Sequence, residues 1–447
     1  MYGDDAMKSK RPGFSAGTIL ILCLTAAVAV GCVFMFGKMR SPGSDVHMDA
    51  ERVLSVVNYM IDDAAPNPLP SSTVSTVKVT LDPVTLPPAT PAPTPTPEII
   101  STPQARSDYS LSLTAGGLMG FESDISDAVY DKAAKSLDYA SVVSGLKGQL
   151  YADLNLVTLP MVINAADRKY GDTLAPGEAA DALQSIGTDV AVLGTEHILN
   201  QGAQGAADTV RALTEKGLAT VGVTAEGMTQ HRLMQLNGEK IAVLSYTEAL
   251  TAKGKNALTE SPALMKPYDA DTARQEIMAA KNQGARCVIV CMYWARQDTA
   301  SVTNAQRNTA RALAEMGADV ILGARPSRVL PVEILEVTGP DGRRREALAA
   351  YSLGTLLTES REGYDISGML LHVSLRSDSQ GMTHFDSVEY TPTYIWRQTV
   401  DGKMQYRVVC SADPAPEGMS EQQREVMARA LNRIQTAMQG CPVRQRQ

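Results

Sequence analysis

Thr195, Glu196 and His197, with Asn200 three residues on, stand just past a short apolar run in VLGTEHILNQG (192–202). A carboxylate beside an imidazole is a donor set for a divalent cation or for general acid–base work. Glu122 or Asp298 is the carboxylate that would complete a single weak-ion site around Glu196, His197 and Asn200. His231, His372 and His384 fall in segments expected elsewhere, and His47 falls in a linker. Ser245, Ser327 and Ser352 lack the Gly-x-Ser-x-Gly setting of a nucleophile elbow. GARPSR (323–328) lacks the Gly-Lys-Ser/Thr of a phosphate loop. Arg325, Arg328 and Arg296 all lie in strand-end loops. Gathered at one mouth, they would hold a carboxylate or phosphate by paired hydrogen bonds; the competing reading is solvated side chains paired with nearby Asp and Glu.

The elements that must position these residues repeat one unit: amphipathic helix, glycine, short apolar strand. PGEAADALQSIG-TDVAVLG, GAADTVRALTEKG-LATVGV, DTARQEIMAAKNQG-ARCVIVCMYW and NAQRNTARALAEMG-ADVILGA are four copies. Gly187, Gly217, Gly284 and Gly317 are expected in the left-handed conformation that ends each helix. Helices alternating with buried strands give an α/β fold with helices covering the sheets. Ligands in such folds gather at the C-terminal strand ends. Those ends are 114–120, 157–162, 193–202, 291–298 and 322–331, with a sixth at 351–360. Past residue 330 the pattern becomes antiparallel: a hairpin around Gly-Pro-Asp-Gly, then alternating strands, then an amphipathic helix opened by Ser420 and Gln423 as a capping box.

Around this core the composition is uneven. Residues 13–37 carry no charge and suffice for one membrane-crossing helix. Lys8, Lys10 and Arg11 before it favour an inside N-terminus (1–12) and an external bulk. A cleaved signal or a lipidated Cys32 is the competing reading, opposed by apolar residues running on to Phe36. Residues 38–107 form a juxtamembrane segment and a Pro/Thr-rich linker of extended character. The globular domain is expected at 108–412, followed by a terminal helix and tail at 413–447. A net charge of −8 and 5% aromatic residues argue against nucleic acid as a partner. Cys287 and Cys291, in CVIVC, share one face of a strand as small apolar groups. A Cys410–Cys441 disulfide is left open.

The order of the strand-end loops resembles that of the CapA family, the capsule and poly-γ-glutamate synthesis proteins with a calcineurin-like metallophosphatase fold. LTAGGLMG resembles the family's opening strand and Gly-Asp-x-Met turn, and ADLNLVTLP its Ala-Asp-Leu…Asn-Leu-Glu. The 178–222 stretch is similar to the segment carrying Asn-Asn-His, and IAVLSYTE, VIVCMYW, ARALAEMGADVILGARPSRVLPVEI and YSLG follow in order. The resemblance implies a metallophosphatase-like α/β/β/α sandwich of mixed sheets, and a role in envelope polymer biology.

Its functional positions are altered. The first-turn aspartate is Gly117, Asn-Leu-Glu is Thr158-Leu159-Pro160, and Asn-Asn-His is Thr195-Glu196-His197, with Asn200 for the following aspartate. His-Trp-Gly is Tyr293-Trp294-Ala295, Gly-His-His-Pro-His is Gly323-Ala324-Arg325-Pro326-Ser327, and the asparagine of Tyr-Ser-Leu-Gly-Asn is Thr355. Two metals about 3.5–4 Å apart need anionic and imidazole ligands to offset their repulsion. Arginine brings a fixed positive charge instead. The divalent pair is therefore expected to be absent, no catalytic residue is assigned, and His197 reads as a remnant. A non-catalytic binding or scaffolding protein, engaging an anionic envelope polymer or an envelope protein, is the expectation. The alternative is a divergent metal-dependent hydrolase of phosphoester or polyglutamate-type substrates.

Overall fold

The computed structural model describes residues 108–166, 169–224, 232–295, 301–361, 363 and 366–446. The membrane-helix, linker and N-terminal-tail expectations (1–107) lie outside the described residues, as do Arg296, Asp298 and His231.

Strand β1 (Tyr109–Met119) is followed by the short helix α1 (Ser123–Val129) and the two-residue pair β2 (Tyr130–Asp131) and β3 (Ser136–Leu137). The fully buried β4 (Leu154–Thr158) follows, then β5 (Val162–Asn164) and β6 (Leu174–Pro176). Helix α2 (Glu178–Ser185) leads into β7 (Val190–Val192), and α3 (Gly202–Glu215) into β8 (Ala219–Val221). Next come β9 (Arg232–Leu236), β10 (Glu239–Thr247) and α4 (Ala252–Glu260). Helix α5 (Ala270–Asn282) hands over to β11 (Ala285–Tyr293), and α6 (Asn304–Met316) to β12 (Val320–Ala324). The last part holds β13 (Val329–Thr338), β14 (Arg344–Leu353), β15 (Thr355–Leu357), β16 (Ser367–Ser377), β17 (Thr383–Val400), β18 (Lys403–Cys410), α7 (Glu421–Ala437) and β19 (Arg444–Gln445).

Each of the four expected stop glycines has positive φ, from 80° at Gly217 to 115° at Gly317. These are conformations that a Cβ disfavours, so the chain turns there from helix to strand. Thr303 and Ser420 each close a capping box, on Gln306 and Gln423. The Ser420 box was legible in the sequence.

Two sheets result. The larger runs β18-β17-β16-β1-β4-β7-β8, with β15 beside β1 and β19 beside β17. Its β1-β4-β7-β8 half is parallel, and β16 to β18 are antiparallel. The smaller runs β13-β14-β12-β11-β10-β9, parallel at its centre and antiparallel at both edges. Strand alternation fixes the layers. Leu111, Leu113, Leu154, Leu156 and Val190 from the larger sheet meet Ile241, Val243, Ile289, Val320 and Leu348 from the smaller in one core. Cys287 and Cys291 point into it together, as their spacing requires. Val157 and Ala191, on the reverse face, pack beneath Leu183 of α2 and Leu213 of α3. Leu244, Val290 and Ile321 pack beneath Ile277 of α5 and Leu313 of α6. The order is helices, sheet, sheet, helices. Helix α7 adds Ile434, and the C-cap residue Met438 follows it into the inter-sheet core. Cys410 and Cys441 are both free thiols, so the disulfide left open from the sequence is not formed.

The smaller sheet is tied to the larger by a buried ion cluster. Asp319, at 1% exposure, accepts hydrogen bonds from Lys281 (2.9 Å), Arg345 (2.5 Å), Thr383 (2.7 Å) and the Val288 amide (2.8 Å). Lys281 and Arg345 hold its carboxyl below the usual carboxylate range despite burial.

Candidate functional site: a cleft at the strand ends

The C-terminal ends of β1, β4, β7, β11 and β12 and strand β15 surround a cleft of about 290 Å³. Its wall includes Glu122, Pro160, Glu196, His197, Tyr293, Arg325, Ser327 and Thr355. Residues far apart in the sequence thus meet at the parallel-strand ends, as the topology dictates.

Glu196 leaves β7 and Arg325 leaves β12, and the two form an ion pair. The Arg325 Nη2 and Nε donate to Glu196 Oε2 at 2.8 and 3.1 Å. Nη1 donates to the Ala295 carbonyl, and the guanidinium lies 5.9 Å from the centre of the Tyr293 ring. Arg325 sits at φ +95°, a strained conformation for a non-glycine residue. The pair is mostly buried, with side-chain exposures of 15% and 21%.

His197 Nδ1 lies 3.1 Å from the Asn200 amide nitrogen, and Asn200 Oδ1 accepts from Thr251 Oγ1 at 2.5 Å. The Thr251 bond orients the amide, so its nitrogen donates to Nδ1 and the imidazole proton sits on Nε2. Burial lowers the His197 pKa and Arg325 adds to this, with Glu196 opposing. The ring is neutral at pH 7. Burial pushes the Tyr293 phenol up, so it stays protonated.

Glu122 occupies another wall. Its carboxylate accepts from Thr358 Oγ1 at 3.0 Å and from the Glu359 amide at 3.3 Å. Burial pushes its pKa up to about 7, opposed by these hydrogen bonds. The side chain folds back on Gly120, where a Cβ would lie 2.3 Å from Glu122 Oε1.

The remaining altered positions have structural work. Thr195 is fully buried, and its hydroxyl donates to the Leu159 carbonyl at 3.4 Å. Thr158 is buried in β4. Trp294 is core, with Nε1 donating to the Tyr351 carbonyl at 2.8 Å. The Thr355 hydroxyl donates to the Ser327 carbonyl at 3.3 Å. Arg328 does not reach the cleft; it lines a separate recess with Arg433 of α7. The three arginines considered together in the sequence are therefore not gathered here: Arg325 lies in the cleft, Arg328 lies apart, and Arg296 is outside the described residues. Asp172, also in the wall and held by Ser123 Oγ at 3.0 Å, carried no sequence signal.

This donor set does not fit a metal pair. Among the described residues no group of three or more His, Cys, Asp or Glu side chains is placed to share an ion. Glu196 already holds a guanidinium. At 117, a Cβ would lie 2.1 Å from the Gly354 carbonyl oxygen. Gly117→Ala should therefore cost about 1–3 kcal/mol in urea unfolding, and Gly117→Asp at least as much. An aspartate variant as stable as the wild type would overturn this steric account.

The fold is thus a layered α/β domain with its cleft at the parallel-strand ends. Residues 112–360 match the profile of the bacterial capsule synthesis protein family PGA_cap, and the chain belongs to that family. It is 25% identical over 232 residues to the PGA biosynthesis protein CapA of Bacillus subtilis (strain 168), covering 51% of this chain and 58% of that protein. It is 26% identical over 188 residues to the capsule biosynthesis protein CapA of Bacillus anthracis, covering 41% and 43%. The chain thus matches about half the length of these relatives. Among solved structures, the Haemophilus influenzae NAD nucleotidase NadN aligns with a TM-score of 0.36 at 12% identity, covering 76% of this chain and 64% of that one.

Proposed function

We propose that this protein is a membrane-anchored, externally displayed member of the capsule and poly-γ-glutamate synthesis family, and that its metallophosphatase-like domain binds or scaffolds without catalysing. Residues 13–37 are the anchor and 38–107 the spacer. The partner is an anionic envelope polymer or an envelope protein. The observation that carries the reading is the Arg325–Glu196 pair, which puts a fixed cation against the carboxylate that a metal centre would need. Elemental analysis of the purified protein tests it: manganese, iron and zinc well below one equivalent are expected. Two tightly held divalent ions per chain would overturn it.

A second reading, a divergent hydrolase, is favoured by one observation. Glu122, with a pKa near 7, shares the cleft with the neutral His197. It requires a phosphoester or polyglutamate hydrolysis that disappears in both Glu122→Gln and His197→Ala while the fold persists.

A further inference from the structure

The recess that takes Arg328 lies apart from the strand-end cleft, where the last turns of α7 meet the starts of β13 and β16. Its volume is about 280 Å³, and Arg328, Val329, Ser367, Asn432, Arg433 and Ile434 are among its lining. The charged groups of this lining are both cationic, and among the described residues no Asp or Glu side chain borders it. Asn432 and Ser367 add an amide and a hydroxyl, each able to donate. The backing is apolar, with Ile434 at 2% and Val329 at 8% exposure, so a charge seated there is screened less than in open water.

The charge pattern of the chain concentrates at this place. Residues 426–447 hold Arg429, Arg433, Arg444 and Arg446 and no Asp or Glu, in a chain of net charge −8. The strand-end cleft has the opposite balance: Asp172 and Glu196, with Glu122 half ionised near pH 7, face Arg325 alone. An anion is repelled by the cleft and drawn to the recess.

Both arginines stand on fixed backbone. Just before Arg328, the Pro326 and Ser327 carbonyls accept from Ser352 Oγ at 2.8 Å and Thr355 Oγ1 at 3.3 Å. Helix α7 is capped at Ser420 and seated through Ile434 in the inter-sheet core. Arg433 Nη2 donates to the Gly363 carbonyl, which orients its guanidinium. Little ordering of the backbone is then needed when a ligand arrives.

We propose that this recess is an oxyanion-binding site, taking a carboxylate or phosphate group between Arg328 and Arg433. Asn432 and Ser367 donate to the oxygens that the guanidiniums leave. The negative end of the α7 dipole opposes an anion here, and two charge-assisted hydrogen bonds outweigh it. The proposal goes beyond the reading of the cleft and holds whether that cleft is inert or hydrolytic.

The full chain is titrated by calorimetry with inorganic phosphate, glycerol 3-phosphate and γ-linked tetraglutamate at low ionic strength. Saturable binding tighter than about 5 mM is expected for at least one probe, weakening as salt is added. Arg328→Gln and Arg433→Gln should each weaken it at least about tenfold. Arg429, 60% exposed and outside the lining, sits one helical turn from Arg433. Arg429→Gln removes the same charge and should change binding less than about twofold. Urea unfolding checks that each variant is folded; if Arg433→Gln is not, Asn432→Ala at the exposed rim replaces it, again with weaker binding expected. Preference for the phosphates or for tetraglutamate tells which source supplies the group, and either supports the site. No saturable binding of any probe up to about 50 mM would overturn the proposal. So would equal weakening by all three arginine substitutions, which would reduce the effect to the general field of the helix.

Discussion

Arg325→Met is expected to lower the unfolding free energy by about 3 kcal/mol, at the lower end of the cost of breaking a buried ion pair, because the pair retains some solvent contact. The loss comes from stranding Glu196, whose Oε2 takes two of the guanidinium hydrogen bonds. Glu196→Gln with Arg325→Met should therefore recover most of the loss, since no charge is then left unpaired. Arg325→Gly should be less damaging than Arg325→Met by about 1 kcal/mol, because glycine adopts φ +95° without strain. Urea unfolding of the four proteins at pH 7 measures these differences. If the double variant is no better than Arg325→Met alone, Glu196 does not depend on this guanidinium, and the pair loses its claim to fill the cleft.

Helix and strand periods fix where the backbone goes, and they carry the four helix-glycine-strand units, the β13–β14 hairpin and the capped terminal helix. The same periods place the strand ends, so the convergence of Glu196, Tyr293 and Arg325 could be anticipated from loops far apart in the sequence. What periodicity does not encode is the direction of a side chain inside a loop. Arg325 and Arg328 are three residues apart, yet one lines the cleft and the other a recess against α7. Their separation depends on the turn at Pro326 and on the positive φ of Arg325, neither of which alters a hydrophobic pattern. Thr195 and Trp294 present the same difficulty: both stood at positions aligned with site residues, and both turn into the core to satisfy backbone carbonyls. Glu122 was legible as a nearby carboxylate. Its burial was not, because that depends on Thr358 and Glu359 arriving from a segment more than 230 residues away.

That burial makes Glu122 the second large lever. Its folded pKa, about 7, lies above the value of 4.5 for an unperturbed glutamate. The folded state thus holds a proton that the unfolded state releases between these values. The contribution is fully present below about pH 4.5 and is lost as pH rises through 7. A shift of this size corresponds to about 3 kcal/mol. Glutamine keeps an acceptor for Thr358 and cannot ionise, so Glu122→Gln should gain on the wild type by about 3 kcal/mol between pH 4.5 and 8. His372 titrates in the opposite sense within the same window. Burial among Thr114 and Thr391 lowers its pKa from 6.5 to about 4, so its contribution falls as pH drops from 6.5 towards 4. The wild-type stability curve sums the two opposing slopes and can look nearly flat. Only the difference between Glu122→Gln and wild type isolates the carboxyl, because His372 is common to both. Denaturant unfolding of both proteins at half-unit steps of pH measures it. A difference that stays constant across the range would mean that Glu122 ionises in the folded cleft as it does in water, and the hydrolase reading would lose Glu122 as its acid.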